Sequence, residues 1–102
     1  MKEVVDFVDK NYAEKITLSA AAKKFGYSES RFSSLFSEKF SQTFTSYVNE
    51  TRIRKSLKKL GKEKTETLFC DFGFQSPQQY FLNFKKVFGC SPKKYISGKS
   101  PN

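Results

Sequence analysis

Apolar residues along this chain recur at helical spacing, and no segment keeps the alternation of a strand. The stripe on a first predicted helix consists of Val4, Val5, Val8 and Tyr12. A second apolar run, LSAAAKKF, follows Thr17 and stops at Gly26, a residue that readily takes the left-handed conformation of a helix end. The first quarter of the chain therefore predicts two short helices.

Two further helices are predicted before residue 61. Ser28 is a suitable N-cap for a helix whose apolar face holds Phe32, Leu35, Phe36 and Phe40. The outward face of that helix holds Ser30, Arg31, Ser33, Ser34 and Ser37. A longer helix, from about Thr45 to Leu60, turns inward Phe44, Tyr47, Val48, Ile53, Leu57 and Leu60. Its other faces carry Arg52, Arg54, Lys55, Lys58 and Lys59, and the polar segment 61–67 is typical of a solvated connector.

The second half of the chain repeats the first. The turns Phe25-Gly26-Tyr27 and Phe72-Gly73-Phe74 match at an offset of 47 residues. Beyond the turn the offset is 48, which aligns Phe32 with Tyr80, Phe36 with Phe84, Phe40 with Phe88, Ser41 with Gly89, and Tyr47-Val48 with Tyr95-Ile96. Each copy is a short helix, a glycine turn and a second helix, which is the helix-turn-helix pattern. The sequence therefore predicts an all-α fold of two such units joined by a basic helix.

The second copy has clear helix-start signals. Ser76 is a predicted N-cap, Pro77 suits the first helical position, and Gln79 can complete a capping box by binding the backbone N–H of Ser76. Ser91-Pro92 predicts one more short helix. These signals place Gln78 and its neighbours in the first turn of a helix that follows a glycine turn.

Charge indicates the class of partner. The formal net charge is +9, and all of it resides in residues 52–102, which hold twelve Lys and Arg against three Asp and Glu. A basic half of this kind favours a polyanionic partner, either nucleic acid or an acidic membrane surface. No apolar run approaches the ~18 residues of a membrane helix. The charged amphipathic start is unlike a signal peptide. We therefore expect a cytoplasmic domain outside the membrane.

Catalytic and metal chemistry find little support in this sequence. There is no histidine, and two cysteines alone cannot complete a tetrahedral zinc site. Asp71-Phe72-Gly73 spells the metal-binding tripeptide of protein kinases, yet 102 residues cannot hold the rest of a kinase. We expect no enzyme activity, no metal site and no cofactor, and we expect Cys70 and Cys90 to be reduced, small core residues.

Three segments, ITLSAAAKKFGYSESRFSSLFSEKF, YVNETRIRKSLKKL and DFGFQSPQQYFLNFKKVFGCSPKKY, resemble the DNA-binding domain of the AraC/XylS transcription regulators. The similarity runs from about Val4 to Ile96, and the opening VVDFVDKNYAEKITLS is similar to the output domains of YesN-like two-component response regulators. The resemblance implies seven helices in one domain. Its parts would be a first helix-turn-helix subdomain at about 4–44, a linking helix at about 45–60 and a second subdomain at about 65–97.

The resemblance also implies which residues meet DNA. The recognition helices would be 29–39 and 77–87. Expected base contacts are Ser30, Arg31, Ser33, Ser34, Gln78, Gln79, Phe81 and Leu82. Expected backbone contacts are Ser28, Ser37, Lys39, Arg52, Ser76, Lys85 and Lys86, with Lys93 and Lys94 also near phosphates. The sequence departs from the family pattern at Ser41, where glycine is usual, at Phe69, where a small residue is usual, and at Phe81 and Leu82.

Side-chain chemistry gives these contacts different roles. Arg31 can bind guanine O6 and N7 together, and Gln78 can pair with adenine. The serines suit bases and phosphates equally, and Gln79 serves either as a cap or as a base contact. Three alternatives remain for Phe81 and Leu82: they contact thymine methyls, they form a patch for a protein partner, or a rotated helix places one of them in the core.

The expected function is sequence-specific binding of double-stranded DNA by a bacterial transcription regulator, with both recognition helices entering successive major grooves ~34 Å apart. Expected partners beyond DNA are RNA polymerase and an N-terminal sensor or receiver domain in a longer protein. Two alternatives stay open at this point. One is a basic helical module that binds RNA or an anionic surface without sequence specificity, and the other is a protein-interaction domain.

Overall fold

The computed structural model of the protein describes residues 1–62 and 65–98, except for the side chains of 65–67 and 98. Within these ranges lie seven helices: α1 (Lys2–Asn11), α2 (Leu18–Lys24), α3 (Glu29–Phe40), α4 (Phe44–Ser56), α5 (Thr65–Asp71), α6 (Pro77–Phe88) and α7 (Pro92–Gly98). The predicted all-α fold is confirmed. Helices α2 and α3 pack as one pair, α5 and α6 pack as the other, and α4 contacts α1, α3 and α6.

The N-caps predicted at Ser28 and Ser76 form, and Thr17, which precedes α2, is a third cap that the sequence analysis did not assign. The side-chain oxygen of Thr17 accepts a hydrogen bond from the Ala20 N–H at 3.1 Å, and that of Ser28 accepts one from Arg31 at 3.1 Å. Ser76 caps α6 through the Gln79 N–H at 3.2 Å. The capping-box partner was predicted wrongly, because the Gln79 side chain accepts a 3.5 Å bond from the Gln75 N–H rather than from Ser76.

Helix α4 ends earlier than predicted. It stops at Ser56 rather than Leu60, and the chain then tightens through i→i−3 bonds, from Leu57 N–H to the Arg54 oxygen at 3.3 Å and from Lys59 N–H to the Ser56 oxygen at 3.1 Å. Such a tighter last turn is a common way to satisfy helix-end carbonyls. The predicted connector 61–67 is shorter than expected, since α5 begins at Thr65, while residues 63 and 64 lie outside the described part.

Each helix-turn-helix unit has its own core. The first core consists of Val4, Val8, Ala21, Ala22, Phe32, Phe36, Phe44 and Val48. The second consists of Ile53, Leu68, Phe72, Phe74, Tyr80 and Phe84. Helix α4 contributes to both, because Phe44 and Val48 lie at its start and Ile53 near its end. The linking helix therefore joins the two units by packing as well as by chain connection.

The internal repeat is a repeat of ring contacts. In the first unit the centroid of Tyr47 lies 5.3 Å from that of Phe36 and 5.6 Å from that of Phe40. In the second unit Tyr95 lies 5.4 Å from Phe84 and 4.9 Å from Phe88. Aromatic pairs at these distances contribute ~0.5–1.5 kcal/mol beyond their buried area. The offset of 48 residues thus places equivalent rings in equivalent contacts.

A buried polar pair distinguishes the second core. The Ser56 hydroxyl donates to the Ile53 carbonyl at 2.6 Å, and the Tyr80 hydroxyl lies 2.9 Å from the Ser56 oxygen. Because a serine hydroxyl has a single proton, Tyr80 is the donor to Ser56. Burial raises the pKa of the Tyr80 hydroxyl. Both hydroxyls in this core are therefore satisfied.

The cysteine prediction was partly wrong. Cys70 is exposed on α5 and Cys90 is half-buried, so Cys70 is no core residue, and neither forms a disulfide within the described part of the chain. The neighbouring Asp71 is an exposed last residue of α5, as the turn alignment indicated, and its carboxylate lies 3.6 Å from the Lys59 ammonium. The kinase-like tripeptide is a helix end followed by a turn.

Replacing Ser41 with glycine should stabilise the fold by about 1 kcal/mol, because a side chain in the left-handed region costs ~1–2 kcal/mol. Ser41 ends α3 at φ 58°, whereas its repeat partner Gly89 ends α6 at φ 79°. Thermal and urea unfolding of Ser41→Gly would measure this gain. The matched change Gly89→Ser should cost a similar amount, and equal unfolding midpoints for all three proteins would contradict the expectation.

Candidate nucleic-acid interface

Helix α3 presents a polar face to solvent. Ser30, Arg31 and Ser34 are exposed, Ser33 and Ser37 are half-buried, and Phe32 and Phe36 lie fully buried on the opposite side. The small serines leave the backbone of this face accessible, so a groove wall can approach closely. The structure therefore places the first predicted set of contact residues together on one surface.

Arg31 is the residue of this face with the longest reach. It is exposed in the first turn of α3, where its backbone N–H binds the Ser28 hydroxyl oxygen. No described residue offers its guanidinium an ion pair or hydrogen bond. A planar guanidinium without such a partner can donate two parallel hydrogen bonds to a guanine edge or to a phosphate.

Phe81 and Leu82 are neighbours on α6 but differ in burial. Phe81 is half-buried against the second core, with its ring centroid 6.1 Å from that of Tyr80. Leu82 is 57% exposed, together with Gln78 and Gln79. The packing alternative therefore fits Phe81, and the surface alternatives fit Leu82. A base contact by Phe81 is not favoured, because its ring already packs against protein.

The remaining expected backbone contacts, apart from Arg52 and the two lysines of α7, lie near the ends of α3 and α6. Lys85 and Lys86 are exposed in the last turn of α6, and Lys39 is exposed in the last turn of α3. The hydroxyl oxygens of Ser28 and Ser76 accept capping bonds, which leaves each hydroxyl proton available for a phosphate oxygen.

Arg52, the other expected backbone contact, lies in different surroundings from the exposed lysines. Its guanidinium is half-buried, with Nε donating to the Tyr12 carbonyl at 2.7 Å and Nη2 donating to the Glu14 carbonyl at 2.9 Å. Nη1 lies 3.4 Å from the Asn49 side-chain oxygen. Three of its five N–H groups are therefore directed at protein oxygens, and a phosphate contact would have only the other two.

Sequence reasoning missed a groove beside the first turn of α6. It measures about 410 Å³ and is lined by Lys15, Ile16, Thr17, Arg52, Gly73, Gln75 and Gln79. Lys15 and Gln75 are exposed and bring a cation and an amide next to the start of the second recognition helix. Nothing in the sequence set them apart from other exposed polar residues, since the folded chain alone brings residues 15 and 75 together.

The molecule is elongated. The chain measures 47 × 24 × 21 Å, so its longest axis exceeds one turn of duplex DNA, ~34 Å. Within residues 1–62 and 65–98, no group of histidine, cysteine or acidic side chains could hold a metal ion. In those same ranges no helix is long and apolar enough to pass through a bilayer.

Comparison with known proteins identifies this architecture. The profile of a family described as "Helix-turn-helix domain" matches residues 21–98. An uncharacterized HTH-type transcriptional regulator of Staphylococcus aureus is 29% identical over an alignment of 99 residues, which covers 93% of this chain and 13% of that protein. This chain thus spans about an eighth of that relative.

Solved structures show the same fold. The C-terminal domain of the two-component response regulator yesN from Fusobacterium nucleatum matches with a TM-score of 0.82 and 24% identity, over 92% of this chain and 94% of that one. The DNA-binding domain of AdpA, a global transcriptional factor solved with a target DNA, matches with a TM-score of 0.84 and 19% identity, over 95% and 89%.

Proposed function

Because the chain belongs to the AraC-type helix-turn-helix family, we propose that it is the sequence-specific, double-stranded DNA-binding domain of a transcription regulator. Helices α3 and α6 are its two recognition helices, and they enter successive major grooves on one side of the duplex. The exposed faces of these two helices carry the DNA contacts. The single observation behind this proposal is that the chain forms the same helix-turn-helix unit twice, with matching caps, turns and ring contacts.

The two faces recognise bases by different chemistry. Arg31 donates to guanine O6 and N7, and Gln78 pairs with adenine N6 and N7. Ser30, Ser33 and Ser34 permit close approach and bind phosphates or bases. The exposed lysines of α6 and α7 contact phosphates without regard to sequence, and they account for the salt dependence of binding.

Leu82 contributes an apolar contact to the second groove. It is 57% exposed beside Gln78, and the C5-methyl of thymine is the apolar group that a major groove presents. Phe81 packs against the second core instead of touching bases. A protein partner for Leu82 is the competing surface alternative, and it predicts no change in base preference when Leu82 is removed.

Changing Leu82 to alanine should weaken binding to the preferred site about fivefold, because ~40 Å² of apolar contact contributes about 1 kcal/mol. The loss should be confined to sites with thymine at one position, and stability should change by less than ~0.5 kcal/mol because the side chain is largely exposed. Fluorescence anisotropy with thymine- and uracil-containing duplexes, which differ by the methyl group, measures this. If the ratio of the affinities for the thymine and uracil duplexes is the same in the parent protein and in Leu82→Ala, Leu82 does not contact the methyl group.

Selection from a random duplex library tests the function as a whole. We expect enrichment of two short motifs about one helical turn apart, followed by binding whose affinity falls steeply with salt. A basic surface for RNA or anionic lipid predicts binding without an enriched motif. A protein-interaction domain predicts no duplex binding at all, and either result would reject the proposal.

We propose that this chain is one domain of a longer regulator. The matched relative is several times longer, and the yesN structure is a C-terminal domain of a response regulator. We place a sensor or receiver domain upstream, and we name RNA polymerase as a partner of the assembled regulator. A protein that binds the bacterial chromosome acts in the cytoplasm and needs no cofactor or catalytic site in this domain.

A further inference from the structure

Arg52 lies where three parts of the chain meet. Its own helix, α4, links the two units, and its guanidinium reaches the carbonyls of Tyr12 and Glu14, just after α1, at 2.7 and 2.9 Å. On its other side is the turn of the second unit, where the Phe74 ring centroid is 5.9 Å away. One side chain therefore touches the first unit, the linker and the second unit.

The contact with the first unit depends on the shape of the guanidinium. Carbonyls at a helix C-terminus have no intrahelical partner and attract cations, so Arg52 satisfies the end of α1. Its planar fork binds the oxygens of residues 12 and 14 at once, which the single ammonium of a lysine cannot do with the same geometry. Burial lowers the pKa of Arg52 from its usual value, yet an arginine remains charged.

The contact with the second unit depends on Gly73. A Cβ on Gly73 would lie 2.8 Å from Arg52 Nε and 2.9 Å from the Tyr12 carbonyl oxygen. The turn of the second unit is thus pressed against both ends of the Arg52–Tyr12 hydrogen bond. Beside it the rings of Tyr12 and Phe72 stack with centroids 6.1 Å apart and planes inclined by 13°. We call the group formed by Tyr12, Glu14, Arg52 and the turn 72–74 the joint.

We infer that Arg52 is a positioning residue that fixes the orientation of the second helix-turn-helix unit relative to the first, and thereby sets the spacing of the two DNA half-sites. The turn of the joint leads directly into α6, so its position determines where that recognition helix points. Helix α4 connects the units because it packs on both cores. The joint adds a second point of attachment on α1, and two separated attachments restrict rotation where one does not.

The consequence for DNA rests on the function proposed above. One added or removed base pair rotates a half-site by about 35° around the duplex axis. If the angle between the two units is fixed, the protein or the DNA must distort to bind both half-sites at the new spacing. We then expect affinity to fall about tenfold for each base pair added or removed. A chain without the joint should accept neighbouring spacings with less than about threefold loss, because its second unit can rotate.

The test compares Arg52→Met with Arg54→Met. Both remove one positive charge from α4. Arg54 is exposed, pairs with Glu50 at 2.8 Å, and its guanidinium carbon lies 5.6 Å from the centroid of the Phe88 ring of α6, so Arg54→Met loses one contact between the linking helix and α6 but leaves the joint intact. The first readout needs no DNA: amide residual dipolar couplings are measured for each unit and fitted separately. One alignment tensor should describe both units in the parent protein and in Arg54→Met, whereas Arg52→Met should require two different tensors.

The second readout uses duplexes carrying the selected half-sites at spacings from −2 to +2 base pairs, and each half-site alone. Arg52→Met should flatten the spacing preference while affinity for single half-sites stays equal to that of Arg54→Met. Arg52→Lys, which keeps charge and most of the length, should be intermediate in both readouts and replaces Arg52→Met if the latter does not fold. A single tensor with an unchanged spacing preference would overturn the inference.

The two readouts also separate this inference from the proposed function. If the parent protein enriches no bipartite DNA motif, the proposed function fails, and the tensor comparison still decides whether Arg52 fixes the orientation. If the motif is found but both variants keep one tensor, the proposed function stands and the role of Arg52 is rejected.

Discussion

Replacing Gly73 with alanine should lower the free energy of unfolding by about 3 kcal/mol, although the change only adds a methyl group. Gly73 has φ 94°, where a side chain costs ~1–2 kcal/mol. The new methyl would also lie 2.9 Å from the backbone oxygen of Tyr12 and 2.8 Å from Arg52 Nε, and overpacking of this kind costs ~1–3 kcal/mol. Urea unfolding would measure this loss of stability, and we expect the melting temperature to fall by more than about 10 °C.

Gly89→Ala supplies the matched control for this change. Gly89 also has a positive φ, 79°, but a Cβ there would meet nothing within 4 Å. Its cost should be only that of the backbone conformation, ~1 kcal/mol. The difference between the two variants isolates the close approach of the turn to the joint. Equal destabilisation of Gly73→Ala and Gly89→Ala would show that the approach carries no energetic weight.

Replacing Arg31 with alanine should reduce affinity for the selected site by ~1–3 kcal/mol, or roughly five- to 150-fold, because a bidentate contact with guanine is lost. The preference at one base position should relax, while the other positions keep theirs. Stability should change little, since the side chain is exposed and contacts no described ion-pair partner. Repeating the duplex selection with the variant measures the change in base preference directly.

Lys85→Ala is the control for loss of charge. Lys85 is exposed in the last turn of α6, and removing a phosphate contact should weaken all duplexes alike and lower the slope of log K against log salt by ~0.9. If Arg31→Ala behaved in the same way, with every base preference kept, Arg31 would be a phosphate contact and the guanine assignment would be wrong.

Local chemistry explains why so much of the fold could be predicted. Helix starts at Thr17, Ser28 and Ser76 depend on bonds within three residues, and glycine turns depend on the backbone freedom of one residue. Apolar spacing identified the inward faces of α3 and α4 because helical geometry repeats every 3.6 residues. Comparison of the two halves then predicted the second unit from the first.

Residues at the edge between core and surface were predicted less well. Phe81 and Leu82 are neighbours on one helix, yet one packs on the second core and the other is exposed. The rotation of α6 about its axis decides which residue lies inward, and this depends on its packing against α4, α5 and α7, with Phe69 of α5 half-buried against the same core. Cys70 was misplaced for the same reason, because the exposed side of a seven-residue helix has no distinct sequence pattern.

The sequence by itself determined the all-α class, the duplicated unit, its caps and turns, and the polar residues on the two recognition helices, because each depends on neighbours along the chain. Only the tertiary structure decided the role of Arg52 and the close approach at Gly73. The partners of Arg52 lie 40 and 38 residues away, and no local pattern marks them. The exposed Arg31 and the half-buried Arg52 have the same side-chain chemistry, and only their surroundings in the fold distinguish them.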